Sequence, residues 1–138
     1  MARNDWRLWL KRAESNLRLA KANKIKGVVY EDLCFEAQQA AEKSIKAFLI
    51  FHEDAFPKVH SFVLLLKRLE KFTSIPKDVK KVLDLSDYAV QTRYPGDYYP
   101  VKAREYKKAI KIAEGVFIWA CREIEKNEKY YGKINGNR

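Results

Sequence analysis

The sequence predicts an all-α protein, an antiparallel up-and-down bundle of four to five helices. Apolar residues recur at the helical spacing of three and four positions in each long segment. Glycine and proline, five and four in number, fall mainly between those segments, where they end helices. No stretch alternates apolar and polar residues long enough to predict a β-strand. The 138 residues suffice for one core that needs neither a disulfide nor a metal for stability.

The first two helices follow directly from the apolar pattern. The apolar residues Trp6, Trp9, Leu10, Ala13, Leu17 and Ala20 form one continuous stripe at helical spacing. Asn4 or Asp5 can cap this first helix, and Gly27 follows its end. The second helix, about 28–52, is apolar on most of its circumference and rich in alanine. Since small side chains let neighbouring helices approach closely, we expect this helix to be the central and most buried one.

Two shorter helices follow. Pro57 ends the second segment, and His60-Ser61 opens a short helix. Pro76 is well placed in the first turn of a fourth helix, about 76–90, where its missing N–H costs nothing. The apolar sides of these helices consist of Phe62, Leu65, Leu66 and Leu69, and of Val79, Val82, Leu83 and Ala89 or Val90.

The last helix is predicted over about 101–128, after a segment that two prolines and a Pro-Gly pair make irregular. Gly115 inside this helix costs about 1 kcal/mol relative to alanine, and we interpret it as a mark of close helix packing. We therefore expect one domain at 3–128 and a flexible C-terminal tail at 129–138.

Composition excludes several classes of protein. Cys34 and Cys121 lie in separate apolar stretches, which excludes a disulfide-rich scaffold and a CxxC site. No uninterrupted apolar run exceeds six residues, and runs such as 47–51 are far shorter than the ~20 residues of a membrane span. No Gly-rich phosphate loop, HExxH motif or nucleophile elbow occurs. We expect a soluble, cytoplasmic protein with no cofactor and no metal.

The charge is strongly positive, with 28 Lys and Arg against 18 Asp and Glu and a formal net charge of +10. Such a balance favours polyanion partners, because basic patches attract phosphate. A solvated helical surface and a heat-tolerant protein have the same composition. Half of the excess, ten basic against five acidic residues, falls in 102–138. The charge indicates a partner without identifying a reaction.

The first and last helices carry apolar residues outside their main stripes. A helix that is apolar on two sides is buried on two sides. A fifth helix or the tail can cover the second side, but we favour a homodimer interface. The residues in question are Leu8 and Leu19 in the first helix, and Ile112, Ile118 and Trp119 in the last.

The irregular segment is the first candidate binding site. Arginine presents a rigid fork of donors that matches phosphate, and tyrosine rings offer stacking faces for bases. A structural alternative stays open, since tyrosines pack against prolines in turns and an arginine can cap a helix end. The residues are Tyr88, Arg93, Tyr94, Asp97, Tyr98 and Tyr99, followed by Lys102 and Arg104.

The central helix carries the second candidate, a polar set in which Gln38 with Glu42 and Gln39 with Lys43 are i, i+4 neighbours. A buried polar pair could line a cleft, but we favour a solvated stripe. The set consists of Glu36, Gln38, Gln39, Glu42, Lys43 and Lys46.

Histidine is the third candidate, because only His52 and His60 can titrate near neutral pH in this chain. His52 ends an apolar helix, where a partly buried structural role is favoured over catalysis. His60 stands at a helix start, where capping or packing is favoured and a chemical role is the alternative.

The run CFEAQQAAEKSIKA at residues 34–47 resembles the HEPN domain family. Three other stretches are similar to that family: residues 13–20, residues 60–66, and Tyr88 with Arg93-Tyr94-Pro95. The resemblance covers about residues 3–128 and implies an up-and-down bundle that dimerises. It also implies a small nucleotidyltransferase as partner, in a prokaryotic toxin–antitoxin-like pair.

Many proteins of that family are metal-independent ribonucleases, with an Arg followed after four to six residues by a His. Arg93 stands in the matching place here, but the position five later is Tyr98. Tyrosine, with a pKa of about 10, is a poor base at neutral pH, whereas histidine at about 6.5 suits the task. The missing histidine would cost on the order of 10²–10⁴ in rate, so we expect no ribonuclease activity of the usual kind.

Three functions follow as hypotheses. The favoured one is a dimeric module that binds nucleotide, RNA or a nucleotidyltransferase partner. The second is a metal-independent endoribonuclease that uses Arg93 with Tyr98, or His60. The third is a purely structural homo-oligomeric scaffold. The predicted ligand-binding residues are Arg93, Tyr94, Asp97, Tyr98, Arg104 and Lys43.

Overall fold

The computed structural model describes residues 5–22, 25–54, 58, 60–89 and 100–134, with side chains as far as Lys129. Within these ranges every regular element is helical, which confirms the all-α prediction. The elements are α1 (Trp6–Ala20), α2 (Tyr30–Phe51), α3 (Phe62–Leu69), α4 (Lys77–Lys80) with a following 3₁₀ segment (Lys81–Ala89), and α5 (Ala103–Ile134).

Side chains cap two of the helices, and the cap predicted for α1 at Asn4 or Asp5 is Asp5. The carboxylate of Asp5 accepts a hydrogen bond from the Arg7 N–H at 2.9 Å and caps α1. The Ser61 hydroxyl caps α3 by accepting from the Leu64 N–H at 3.4 Å. Glu31 lies in the first turn of α2, where a carboxylate is favourable beside the positive end of the helix dipole.

Three ring contacts fix the directions of the long helices: Trp6 on Phe51 at 5.6 Å, Tyr30 on Tyr106 at 4.8 Å, and Phe48 on Trp119 at 5.1 Å between centroids. The first contact places the start of α1 against the end of α2, so these helices are antiparallel. The other two contacts show that α2 and α5 are parallel. The 3₁₀ segment runs antiparallel to α5, since Asp84 pairs with Lys108 and Tyr88 with Glu105. The bundle is therefore up-and-down.

The second helix occupies the centre of the bundle, as predicted. Every residue from 33 to 49 is buried or half-buried, and α1, α3, α5 and the 3₁₀ segment all contact α2. Ala37, Ala40 and Ala41 have no exposed surface. Their small side chains allow the neighbouring helices to approach closely.

The fourth predicted helix differs from the structure. Pro76 is the N-cap of α4 rather than a residue of its first turn, and the α-helical geometry ends at Lys80. A 3₁₀ helix repeats every three residues, so Leu83, predicted on the apolar side, is instead 44% exposed. Val90 lies outside the described residues. The buried positions are Val79, Val82, Leu85 and Tyr88.

The last helix extends to Ile134, six residues beyond its predicted end at 128. Gly115 is exposed, and no atom lies within 4 Å of the position of an added Cβ. The prediction that this glycine marks close packing is therefore wrong. The flexibility of 129–138 stays a prediction, and 135–138 lie outside the described residues.

The second apolar sides of α1 and α5 are smaller than predicted. Ile112 is buried and Trp119 stacks on Phe48, so both belong to the monomer's own packing. Leu8, Leu19 and Ile118 are 40%, 52% and 40% exposed. Of the five residues predicted for the second apolar sides, these three remain candidates for an interface.

The described part of the chain contains neither a membrane-spanning helix nor a metal-binding group of side chains. No described helix is long and apolar enough to cross a membrane. No group of three or more His, Cys, Asp or Glu side chains in those ranges is placed to hold a metal ion.

Candidate functional site

A line of polar side chains runs through the middle of α2. Gln38, Glu42 and Lys46 follow one another at intervals of four, and each is at most 4% exposed. The Gln38 amide donates to Glu42 Oε1 at 3.1 Å, and Lys46 Nζ donates to Glu42 Oε2 at 2.7 Å. The favoured interpretation of this line as a solvated stripe is therefore wrong.

The burial of this line comes from both neighbouring sides of α2. The Lys46 ammonium lies 5.7 Å from the centre of the Trp9 ring of α1, a distance at which an ammonium and an aromatic face attract each other. On the other side, the chain leading into α3 brings His60 onto Glu42. Neither contact can be predicted from the sequence of α2 alone, because Trp9 and His60 lie outside this helix.

His60 joins the polar line from outside the helix. Its Nδ1 lies 2.7 Å from Glu42 Oε2, while its side chain remains 74% exposed. Because Glu42 also accepts from Lys46, it is an ionised acceptor, and Nδ1 of His60 must carry the proton. In neutral His60, Nε2 therefore has a free lone pair. The capping role predicted for His60 is wrong, since Ser61 caps α3.

Lys43 lies beside this line and is also tied to α1. Its Nζ donates to Asn16 Oδ1 at 2.8 Å, and the Asn16 amide donates to Glu36 Oε1 at 2.6 Å. Burial, followed by the nearby positive charge of Arg12, lowers the pKa of Lys43. We call Gln38, Gln39, Glu42, Lys43, Lys46 and His60 the α2 polar cluster.

The α2 polar cluster combines two chemical capacities. Lys43 and Arg12 are cations that can attract phosphate. His60 Nε2 can accept a proton or a hydrogen bond, because the Glu42 carboxylate holds the ring in one tautomer. A buried Glu–Lys pair contributes little to stability, since its desolvation offsets its attraction.

Arg104, another predicted ligand-binding residue, lies on a different face. It is exposed on α5, and α5 packs on α2 through Trp119 and Phe48. Lys43 is five residues from Phe48, which places it about 140° around α2 from the side that packs on α5, at 100° per residue. The structure therefore does not bring Arg104 together with Lys43.

The remaining predicted site residues, Arg93, Tyr94, Asp97 and Tyr98, lie outside the described residues. The described residues on either side of them contact the first turns of α2 and α5. The Val101 N–H donates to Glu31 of α2 at 3.2 Å, and the buried Tyr88 hydroxyl donates to Glu105 of α5. Tyr88 belongs to the 3₁₀ segment and not to the irregular segment where it was expected.

His52 is half-buried, as predicted, but the expectation of a satisfied ring is wrong, since its buried Nε2 has no hydrogen-bond partner among the described residues. Its ring stacks on Phe72 at 4.9 Å and lies 4.4 Å from the Phe48 ring. Burial lowers the pKa of His52, with Glu123 acting in the opposite sense. Of the two histidines, only His60 is both exposed and oriented by a carboxylate.

The comparisons with known proteins agree with this architecture. The HEPN domain model matches residues 6–124. The crystal structure of an archaeal HEPN homologue superposes with a TM-score of 0.67 at 30% identity, covering 86% of this chain and 97% of its own. A crystal structure from Thermus thermophilus gives a TM-score of 0.71 at 29% identity, covering 86% and 98%. No curated protein matches the chain significantly. The bundle, the polar residues of α2 and this match over nearly the whole chain show that the protein belongs to the HEPN domain family.

Proposed function

We propose that this HEPN protein binds a nucleotide or an RNA strand through the α2 polar cluster. The observation that carries the proposal is the 2.7 Å contact of the exposed His60 with the buried Glu42. A carboxylate that fixes an exposed imidazole is an arrangement found at functional sites. Lys43, with Arg12 nearby, supplies positive charge for a phosphate group.

The predicted ligand-binding residues Arg93, Tyr94, Asp97 and Tyr98, which lie outside the described residues, form a second part of the proposal. Its support is the chemistry of these side chains. In this proposal Arg93 binds phosphate and the tyrosine rings stack on bases. An Arg93→Ala protein that keeps its nucleotide and RNA affinity at low salt would remove Arg93 from the site.

A direct test compares Lys43→Gln with Lys67→Gln. Both changes remove one positive charge, but Lys67 is exposed on α3 and lies outside the cluster. The probe is a fluorescein-labelled single-stranded RNA of mixed sequence, and the readout is anisotropy at low salt. We expect Lys43→Gln to weaken binding several-fold and Lys67→Gln to leave it nearly unchanged. Equal effects would reject the α2 polar cluster as the site.

The protein also acts as a homodimer in this proposal. Leu8 and Leu19 are exposed on one side of α1, with Arg12 between them in the same stripe, so their apolar surface borders the α2 polar cluster. Burial of this surface against a second copy would bring two clusters close together. Light scattering of Leu8→Glu/Leu19→Glu should give a monomer, whereas Ile118→Glu on α5 should remain dimeric.

A nucleotidyltransferase partner and a cytoplasmic location are further parts of the proposal. Both rest on membership of the HEPN domain family, since the resemblance implies a pair of a HEPN protein with a small nucleotidyltransferase. Co-expression with the product of a neighbouring nucleotidyltransferase reading frame, followed by size-exclusion chromatography, tests the pairing. Failure to co-elute would contradict the pairing and would leave nucleotide or RNA binding as the proposed function.

Endoribonuclease activity is a second candidate function, which the Glu42–His60 contact favours. In that reaction His60 Nε2 takes the proton of a 2′-hydroxyl and the 2′-oxygen bonds to phosphorus. The bond from phosphorus to the 5′-oxygen breaks, and water supplies the proton of the new 5′-hydroxyl. RNA cleavage in EDTA that His60→Ala abolishes and His52→Ala retains would favour this function over binding alone.

A further inference from the structure

The first three turns of α5 and the residue before them are unusually basic. Five of the ten residues from 102 to 111 are Lys or Arg, and one, Glu105, is acidic. Glu105 accepts a hydrogen bond from Tyr88 and so is engaged with the 3₁₀ segment. The basic residues are Lys102, Arg104, Lys107, Lys108 and Lys111.

Four of these cations share one side of the helix. At 100° per residue, Arg104, Lys107, Lys108 and Lys111 fall within an arc of about 100°. All four are exposed, whereas Tyr106, Ala109 and Ile112 face the core. We call these four residues the α5 basic face.

Among the described residues, the α5 basic face has one ion-pair partner. Lys108 pairs with Asp84 at 3.6 Å. No carboxylate of the described residues lies within ion-pair distance of Arg104, Lys107 or Lys111. No salt-bridge network within the described ranges therefore accounts for the concentration of charge.

The helix dipole does not account for this placement. Cations stabilise the carboxyl end of a helix and destabilise its amino end, mainly within the first and last turns. Of the α5 basic face, only Arg104 lies in the first turn of α5, and Glu105 stands beside it there. The dipole therefore gives these cations no stabilisation, so an external partner is the better explanation.

We propose that the α5 basic face is a docking surface for the phosphodiester backbone of a nucleic acid, separate from the α2 polar cluster. The face extends about 10 Å along the helix, a length that spans about three phosphates of one strand. Lysine binds phosphate as a point charge, so recognition here is independent of base sequence. No large apolar side chain is exposed between 102 and 111, which favours a nucleic acid over insertion into a lipid surface.

The test compares two double variants of the full-length protein. Lys107→Gln/Lys111→Gln removes two charges from the α5 basic face, and Lys126→Gln/Lys129→Gln removes two from the carboxyl-terminal half of the same helix. The probe is a fluorescein-labelled single-stranded RNA of mixed sequence, titrated at several salt concentrations. We expect the plot of log affinity against log salt to become less steep by about 1.4 for the first variant, since each lost phosphate contact contributes about 0.7. The second variant should match the wild-type slope.

Thermal unfolding provides an independent readout. Removal of cations near the amino end of α5 should leave the melting temperature unchanged or raise it. A lowered melting temperature would show that these lysines serve the fold, which overturns the proposal. Equal slopes for the two variants would overturn it as well.

Vesicles of phosphatidylserine and phosphatidylcholine test the lipid alternative. Lysine-dependent binding to the vesicles, with no change in the RNA slope, would assign the face to a membrane surface. The Lys43→Gln protein separates this inference from the proposed function. Lys43→Gln should lower the slope by about 0.7 and abolish affinity for nucleoside monophosphates, while Lys107→Gln/Lys111→Gln should lower the slope by about 1.4 and keep that affinity. This pattern identifies two distinct surfaces, and either surface can fail without the other.

Discussion

His60 Nδ1 lies 2.7 Å from Oε2 of Glu42, although 18 residues separate them in the chain. The contact links an exposed ring to a carboxylate that is 5% exposed. Lys46 shares the same oxygen at 2.7 Å, so one buried negative charge serves two positive or proton-bearing partners. Four predictions follow from this arrangement and from the packing around it.

The buried Glu42–Lys46 pair should be strongly coupled. Glu42→Gln leaves the Lys46 ammonium buried without its carboxylate, and we expect a loss of roughly 3–5 kcal/mol in unfolding free energy. The double variant Glu42→Leu/Lys46→Met removes both charges and should cost clearly less. Urea unfolding of the three proteins measures the difference. If the double variant is as unstable as Glu42→Gln, the buried Lys46 charge is not the cause of the lost stability, and the changed shape of the side chains accounts for it.

His52 should make the fold sensitive to mild acid. Burial lowers the pKa of His52 below its usual 6.5, so the folded protein binds its proton less readily than the unfolded chain does. The stabilising contribution is therefore complete above about pH 6.5 and is lost as the pH falls below that value. His52→Phe should flatten the pH dependence of the urea midpoint between pH 7 and 5. An unchanged dependence would exclude His52 as its source.

Gly115→Ala should stabilise the protein by about 1 kcal/mol, because alanine is the better helix former. No atom lies within 4 Å of the new Cβ, so no clash opposes the gain. Gly27→Ala is the matched control, since Gly27 has a φ of +84°, where an L side chain is strained. Thermal unfolding should therefore shift upward for the first change and downward for the second. A destabilised Gly115→Ala would indicate that another chain packs on this position.

The two cysteines should differ in reactivity. Burial, followed by the nearby charge of Glu105, raises the pKa of Cys34 to about 12. Since the thiolate is the reactive form, Cys34 should react with a disulfide reagent on the order of 10³ times more slowly than a free thiol. Cys121 is half-buried and should react first, while Cys34 should react only as the chain unfolds. Cys121→Ser isolates the slow phase, and a fast remaining phase would contradict the burial of Cys34.

Most of the fold was predictable because local signals agree with the packing. The stripe of α1, its cap at Asp5, the alanine-rich α2 and the start of α3 after His60-Ser61 all appear where the pattern places them. The cap of α3 is Ser61 and not His60. The 3₁₀ segment was not predictable, because Val79 and Val82 fit both a period of 3.6 and a period of three. The burial of Leu85 and Tyr88 distinguishes the period of three from the period of 3.6, and that burial is visible only in the structure.

The candidate site was only partly predictable. The i, i+4 spacing of Gln38, Glu42 and Lys46 is visible in the sequence, but it fits a solvated stripe as well as a buried line. Burial depends on Trp9 and His60, which belong to other parts of the chain. The presence of only two histidines was the one available signal, and it did not indicate which carboxylate His60 would meet.

The most direct test of the central claim is a nitrogen-15 NMR measurement of the two histidine rings. His60 should carry its proton on Nδ1 at mildly alkaline pH, and addition of a short single-stranded RNA should shift its Nε2 resonance while His52 stays unchanged. With only two histidines in the chain, a His60→Gln protein assigns the signals. A His60 ring protonated on Nε2, or one whose resonances do not respond to RNA, would contradict the proposed role of the α2 polar cluster.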